Sequence, residues 1–283
     1  MVPLKIKNSV FKWGSRTYII GILNITENSF SGDGFLKDIK GAIQYALLME
    51  KNGADIIDVG GESTRPPGSA YGRGAKAISI EQELERVLPV ISELASVLKI
   101  PISIDTYKAE VAERSIKEGA LLINDVWGLK KDARIAFVAA KTGVPLILMH
   151  NQEGLVYSDV VEDVILSLKK SKEQAINKGV LPEKIIIDPG IGFSKTLKHN
   201  LKILSHLKRI RARLKLPLLL GTSRKSFIGE VLGGLPLHER VEGTAATLAL
   251  GISQKVDMVR VHAVKEMTRV ARMSDAILRN NVY

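Results

Sequence analysis

Short apolar runs alternate with longer amphipathic stretches from one end of the chain to the other. The runs occupy residues 19–23, 55–59, 102–104, 121–123, 145–149, 185–187, 218–220 and 258–261. Between them, stretches such as 39–51, 80–98, 108–118, 160–177 and 240–253 carry apolar residues at helical spacing. Eight runs, each followed by a helical stretch, predict a parallel sheet with helical crossovers. Their near-continuous apolar character predicts strands covered on both faces. An open doubly wound sheet shares this alternation, but the count of eight favours closure. The expected fold is therefore α/β, a (β/α)8 TIM barrel. Residues 5–18, with Gly14 near their middle, read as an N-terminal β-hairpin ahead of the first barrel strand. No Ser/Gly linker, low-complexity tract or sharp change of composition divides the chain, so residues 1–283 read as one domain.

The ends of the runs carry residues that a core would not choose. Asn24 follows Leu23, and Gly60-Gly61-Glu62-Ser63-Thr64-Arg65 follows Val59. Asp105 follows Ile104, Asn124-Asp125 follows Ile123, His150 follows Met149 and Asp188 follows Ile187. Gly221-Thr222-Ser223-Arg224-Lys225 follows Leu220, and Arg260 and His262 bracket Val261. A single Asp or Asn after a strand commonly caps the next helix. Eight polar ends in succession, with Lys and Arg among them, do not reduce to capping. In a barrel these ends converge on the rim where active sites are built, and in a doubly wound sheet they line the ligand crevice. Either topology predicts one polar site assembled from distant parts of the chain.

Composition narrows the possibilities. The 283 residues are 45% hydrophobic and 25% charged, the balance of an ordinary soluble protein. With no cysteine, disulfides and thiolate metal sites are excluded, which suits a cytoplasmic location. The N-terminal residues lack the apolar core of a signal peptide. No apolar run approaches the ~20 residues that span a bilayer, so no membrane partner is expected. The net charge of +11 invites nucleic acid, an acidic surface or small anions as partners. Its densest stretch, 195–215, holds no acidic residue and places Leu197, Leu201, Leu204, Leu207 and Leu214 at helical spacing, with the stem of Arg211 among them. That pattern describes an amphipathic helix with a solvated basic face, carrying His199 and His206 at a surface or interface. With two Trp in the chain, stacking platforms for bases are scarce, and no nucleic-acid partner is expected.

Two segments point to phosphate. Gly60–Arg65 and Gly221–Ser226 each group glycine, hydroxyls and cations, the means by which backbone N–H groups and Lys or Arg hold phosphate oxygens. Neither has the P-loop spacing. Arg260 and His262, two residues apart, face the same way and add positive charge. Asp105 and Asp188, with Asn124, suit a nitrogen-rich heterocycle, because a carboxylate accepts two hydrogen bonds from an amidine-like edge. Buried acids need donors, so a donor-rich ligand or a neighbouring Lys is expected. Clustered Asp, Asn and His also suit a metalloenzyme, but no paired-His spacing supports zinc. A Ser-His-Asp hydrolase lacks its G-x-S-x-G elbow.

Taken together the motifs resemble those of the dihydropteroate synthase family over residues 19–279. Gly21-Ile22-Leu23-Asn24-Ile25-Thr26 begins a segment similar to the first signature. Asp58-Val59-Gly60-Gly61-Glu62-Ser63-Thr64-Arg65-Pro66 is similar to the second. Ser103-Ile104-Asp105-Thr106, Ile123-Asn124-Asp125-Val126, Asp188-Pro189-Gly190-Ile191-Gly192-Phe193, Ser223-Arg224-Lys225-Ser226 and Arg260-Val261-His262 recur in family order. The resemblance implies the barrel and the condensation of 6-hydroxymethyl-7,8-dihydropterin pyrophosphate with 4-aminobenzoate, releasing pyrophosphate. It implies that Asp105, Asn124, Asp188 and Lys225 hold the pterin, with Phe193 and Gly221 shaping the pocket. Thr64, Arg65, Arg260 and His262 would surround the pyrophosphate, with Asn24 as a ligand of Mg2+. Ser226, Lys225, Pro66 and Phe193 would lie near the aminobenzoate. Lys225, Arg260, His262 and Arg65 carry the expected catalytic charge, and the resemblance implies a homodimer, to which the helix at 197–214 would contribute.

Three departures bear on the acceptor. Glu27, Asn28, Gly32 and Asp33 differ from the usual first loop, with Asp33 one position beyond the usual carboxylate. The loop from Arg65 to Ala75 is longer than the usual form, and Ala263 replaces the Asp common after the last His. Two enzymatic alternatives share the pterin pocket: a pterin-dependent methyltransferase of the same barrel superfamily serving a corrinoid, and a homologue using another aromatic amine. A binding protein without turnover is the third.

Overall fold

The computed structural model describes residues 1–26, 34–36, 38–63 and 77–279. Eight parallel strands form the barrel: β3 (Tyr18–Asn24), β4 (Ile56–Gly60), β5 (Ile102–Asp105), β6 (Leu122–Asp125), β7 (Leu146–Met149), β8 (Ile185–Asp188), β9 (Leu219–Leu220) and β10 (Met258–Val261). Their order is β8-β7-β6-β5-β4-β3-β10-β9. A parallel bridge between Ile187 and Leu218 brings the two ends of that order together. Helices α1 (Ile39–Lys51), α2 (Ile80–Val97), α3 (Ala109–Lys117), α4 (Arg134–Thr142), α5 (Val160–Asn177), α6 (Leu197–Leu204), α7 (Leu207–Leu214), α8 (Ser226–Val231), α9 (Val241–Ser253) and α10 (Val264–Arg279) lie between and after the strands. The (β/α)8 barrel expected from the alternation is the observed fold. None of the described helices is long and apolar enough to cross a membrane.

Successive strand residues point to opposite faces, and this divides the apolar residues into two clusters. Ile19, Leu23, Ile57, Val59, Ile104, Ile123, Leu148, Ile187 and Val259 pack outward with helix residues such as Ala46, Val87 and Leu94. Gly21 permits one of these contacts, since a Cβ there would lie 2.8 Å from Sδ of Met49 on α1. Ile20, Ile56, Leu122, Ile147, Ile186, Leu219 and Met258 form the second cluster inside the barrel, together with Leu4, Ile6 and Phe11. Those last three belong to the hairpin β1 (Leu4–Ile6) and β2 (Ser9–Phe11), which plugs the N-terminal end of the barrel.

Two details differ from expectation. The hairpin turns at Lys7-Asn8, where Ile6 pairs with Ser9 and Lys7 has φ of +55°, while Gly14 lies beyond the second strand. The basic stretch forms two helices, because Ser205 and His206 interrupt it between α6 and α7. Its buried face is Asn200, Ile203, Leu207, Ile210 and Leu214; of the leucine stripe, Leu207 and Leu214 are buried, Leu197 and Leu204 pack partly buried against the core, and Leu201 is exposed. Arg211 does more than pack its stem, since it makes a two-point ion pair with buried Asp257 at 2.8 and 2.9 Å. His199 completes a capping box with Thr196 and meets the edge of Tyr157, and His206 bonds Ser205 and the Lys202 carbonyl.

Candidate active site

The period-two alternation places the site. Ile56, Leu122, Ile186 and Met258 fill the lower interior, so the residues two positions further along each strand point into the upper interior. Those residues are Asp58, Asn124, Asp188 and Arg260. Ser103 and Asp105 on β5 follow the same phase, since Ile102 and Ile104 pack outward. The fold therefore forces three carboxylates, an amide and a guanidinium into one cavity walled by apolar strands.

Arg260 is the centre of that set. Its Nε donates to Oδ2 of Asp58 at 2.6 Å and its Nη2 to Oδ2 of Asp105 at 2.7 Å. Nδ2 of Asn124 donates to the same Asp58 oxygen at 3.0 Å. The remaining oxygens, Oδ1 of Asp58 and Oδ1 of Asp105, are buried without a partner, as is the Ser103 hydroxyl. Such atoms are costly to leave unpaired, which marks the cavity as one that awaits donors. Burial first, and then the charges of Asp58, Glu83 and Asp125, push the Asp105 carboxyl up to about 7 against the pull of Arg260. Arg260 keeps its charge firmly: burial opposes it, but Asp58 and Asp105 outweigh that cost.

The second half of the cavity lies between β8 and β9. Asp188 accepts from the Gly190 amide at 2.7 Å through Oδ1. A Cβ on Gly221 would come within 3.6 Å of its other oxygen, so glycine leaves room above the carboxylate. Burial raises Asp188 against the opposing charge of Lys225. Lys225 donates to the Ile191 carbonyl, and its ammonium stands 4.4 Å from the centre of the Phe193 ring. Burial lowers its pKa to about 8, with Arg260 adding to the shift and Asp188 and Asp105 resisting it. Ser226 opens α8 immediately after Lys225.

Lys195, which the sequence reading assigned to the basic helix, belongs instead beneath this loop. Its ammonium reaches the carbonyls of Gly190 and Phe193 at 2.9 and 3.0 Å and Nδ1 of His150 at 2.9 Å. The loop it ties down has φ above zero at Gly190, Gly192 and Ser194. Burial, with the charges of Lys195 and Lys130, lowers His150 to about 2, so it is a neutral buttress. Asp125, which looked like a rim residue, points away and caps the loop after β6 through the amides of Trp127 and Leu129.

At the outer rim, Oγ of Ser223 accepts from the His262 amide at 3.1 Å and lies 2.9 Å from Nδ1 of the same ring. The hydroxyl has two acceptor sites and one proton, so it satisfies the amide and pairs with Nδ1 in either tautomer of the ring. Burial and the charges of Arg260, Arg224 and Lys225 lower His262 to about 3. Asn24 ends β3 with its amide oxygen near Gly60 and, through it, Asp105. Glu62 accepts from Tyr107 at 2.9 Å and from Lys108 at 2.5 Å, anchoring the start of the Gly60-Gly61 segment. Thr64, Arg65, Pro66 and Asp33 lie outside the described residues. Among the described residues, no three His, Asp or Glu gather as a metal nest. Among the described residues at the rim, Asn24 supplies a single neutral amide oxygen, too little to hold an ion by itself.

Residues 20–262 match the family model described as pterin binding enzyme. The chain belongs to the pterin-binding enzymes. Within them it is a member of the dihydropteroate synthases, which are transferases. It is 50% identical over 277 residues to the dihydropteroate synthase of Clostridium beijerinckii, covering 98% of this chain and 100% of that one. A crystal structure of the Clostridium difficile dihydropteroate synthase in the presence of pteroic acid superposes with a TM-score of 0.88 at 49% identity, over 95% of this chain and 99% of that chain. The Xanthomonas albilineans dihydropteroate synthase with 4-aminobenzoic acid matches with a TM-score of 0.85 at 36% identity, over 93% of each chain. Asp58 and Lys195 are the members of the constellation that sequence reasoning missed. The signal for Asp58 was present: a charged residue in the phase of Asp105 and Arg260 within an otherwise apolar strand.

Proposed function

We propose that the whole chain works as one catalytic domain that binds 6-hydroxymethyl-7,8-dihydropterin diphosphate ring-first in the barrel mouth. It then passes the pterin-methyl group to 4-aminobenzoate. The observation that carries this reading is the set of unpaired acceptors around Arg260, with Asp188 and Lys225 close enough to share its field, above the apolar lower interior of the barrel. Asp105, Asn124 and Asp188 accept from the ring N–H and amino groups, while Lys225 donates to its carbonyl oxygen. Phe193 and Gly221 set the width of the pocket, and Ser226, with Lys225, lies on the acceptor side.

In the reaction the C–O bond to the diphosphate breaks, and its electron pair leaves with the diphosphate. The lone pair of the neutral aniline nitrogen forms the new C–N bond, and the nitrogen then gives up a proton. Positive charge develops on the pterin beside the carboxyl groups of Asp58, Asp105 and Asp188. Preorganised opposite charge of this kind lowers the barrier. His262, Thr64 and Arg65 receive the departing diphosphate. Two of the five guanidinium N–H groups of Arg260 are spent on Asp58 and Asp105, which leaves the second N–H of Nη2 and both of Nη1 for the leaving group. Mg2+ held by Asn24 would neutralise charge on the diphosphate. No residue needs to act as a nucleophile, and positioning supplies much of the remainder.

The same reading places the enzyme in the cytoplasm as a homodimer. Among described residues, exposed apolar side chains gather on α9 and α10, where Leu250, Met273 and Ile277 are 66%, 64% and 66% exposed. These helices offer a better self-association face than the helix pair at 197–214. The reading is tested by diphosphate release from the pterin diphosphate with a panel of aromatic amines. Release that depends on 4-aminobenzoate above other amines supports it. Release with a different amine alone would reassign the acceptor, and methyl transfer to a corrinoid would replace the reaction.

A further inference from the structure

Asp58 is fully buried on the inner face of β4, level with Ser103 and one inward-facing position below Asp105 and Asn124, and it bonds residues from two other strands. A single oxygen, Oδ2, accepts both Nε of Arg260 from β10 and Nδ2 of Asn124 from β6. Each contact restricts something that a ligand would feel. A guanidinium whose Nε and Nη2 are held by two different carboxylates, Asp58 at 2.6 Å and Asp105 at 2.7 Å, has its plane fixed. An Asn side chain has a donor end and an acceptor end of nearly equal size, and its neighbours decide which way round it sits. The carboxylate accepts the NH2 end of Asn124, so the carbonyl end turns away from β4. Without Asp58 the amide would be free to rotate by half a turn and offer NH2 groups to a ring edge that is itself rich in N–H donors.

We propose that Asp58 is a positioning residue of the pterin pocket, which fixes the plane of Arg260 and makes Asn124 present its carbonyl oxygen to the bound ring. Its remaining oxygen, Oδ1, is buried and unpaired. The residue acts by holding two neighbours through Oδ2 and keeps one acceptor oxygen spare. The inference rests on the pterin reading of the cavity given above.

The test is a kinetic and binding comparison of the full-length enzyme with Asp58→Asn, Asn124→Ala and the double variant. Asp58→Asn keeps the size of the side chain but removes the obligate acceptor. The probe for binding is 6-hydroxymethyl-7,8-dihydropterin, which has the ring without the diphosphate. Wild type that does not bind this alcohol sinks the pterin reading itself. Given wild-type binding, Asp58→Asn is expected to weaken the affinity and raise the KM for the pterin diphosphate by about tenfold, leaving the KM for 4-aminobenzoate within about twofold. The loss in the double variant should fall short of the product of the single losses by about threefold or more, because both changes act through one amide. Three outcomes overturn the positioning role alone. These are unchanged pterin KM and affinity, fully multiplicative losses, or a fall in kcat with both KM values unchanged. If Asp58→Asn does not fold, Asp58→Ser, which leaves room for a water, is measured in its place. Failure of both to fold makes Asp58 part of the scaffold and also overturns the proposal.

Discussion

Asp105→Asn should yield a protein that is more stable and less able to bind pterin. The wild-type carboxyl sits where burial, together with Asp58, Glu83 and Asp125, raises its pKa from the ordinary 3.8 to about 7, with Arg260 pulling the other way. At ~1.36 kcal/mol for each tenfold change in proton affinity, keeping it ionised in the fold above pH 7 costs about 4 kcal/mol. The sign follows from linkage. The folded chain binds this proton more tightly than the unfolded chain, so stability falls as pH rises from 3.8 towards 7 and stays low above it. Asn cannot ionise and escapes that cost, but it is a poorer partner for Nη2 of Arg260, which takes back about 1 kcal/mol or more. The expected net gain at pH 8 is about 1–3 kcal/mol, measured by urea unfolding followed by circular dichroism. At pH 5 the folded wild type already holds the proton, so the gain should be less than half that at pH 8. A variant less stable than wild type at pH 8, or an equal difference at both pH values, would refute the electrostatic reasoning. The paired binding measurement should show the pterin affinity reduced by about tenfold or more, as for loss of a charged hydrogen bond.

Further outcomes follow from the neighbouring groups. Lys225→Met removes the donor to Ile191 and the cation over Phe193, and kcat/KM for the pterin diphosphate should fall more than about tenfold with the fold intact; unchanged kinetics would remove Lys225 from the site. Lys195→Met leaves the carbonyls of Gly190 and Phe193 without their donor, and a stability loss of about 1–3 kcal/mol with a raised pterin KM is expected; a neutral effect on both would deny it a role under the loop. His262 and His150, lowered to about 3 and about 2, are neutral at working pH. They take up protons on unfolding, so their stability contribution is complete above pH 6.5 and is lost as pH falls. Accordingly, His262→Gln should reduce the rate without abolishing any inflection near pH 6.5 in the pH–rate profile; disappearance of such an inflection would show that the imidazole titrates there.

The barrel was legible because its signal is repeated. Eight apolar runs separated by amphipathic helices leave few alternatives, and polar residues at their C-terminal ends fix the functional face. What escaped the sequence depends on contacts between distant residues. Asp58 sits within an apolar run, and only the partnership with Arg260 and Asn124, some 202 and 66 residues away, reveals what it does. Lys195 lies beside a run of basic surface residues, and its burial follows from the path of the loop after β8. Asp125 follows Asn124 directly, yet the pleat sends the two to opposite faces, one to the cavity and the other to a turn. The hairpin turn was drawn towards Gly14 because glycine is the stronger turn former, whereas Lys7 adopts the positive φ. The basic stretch buries Ile203 and Ile210 beside Leu207 and Leu214 of the leucine stripe, whereas Leu201 is exposed.

The most direct test of the central claim is a crystal structure of this enzyme with a bound pterin. The ring should lie inside the barrel mouth, with its N–H edge within hydrogen-bond distance of Asp105, Asn124 and Asp188 and its carbonyl oxygen on Lys225. A ring bound elsewhere, or one that leaves Asp105, Asn124 and Asp188 untouched and distant, would contradict the account.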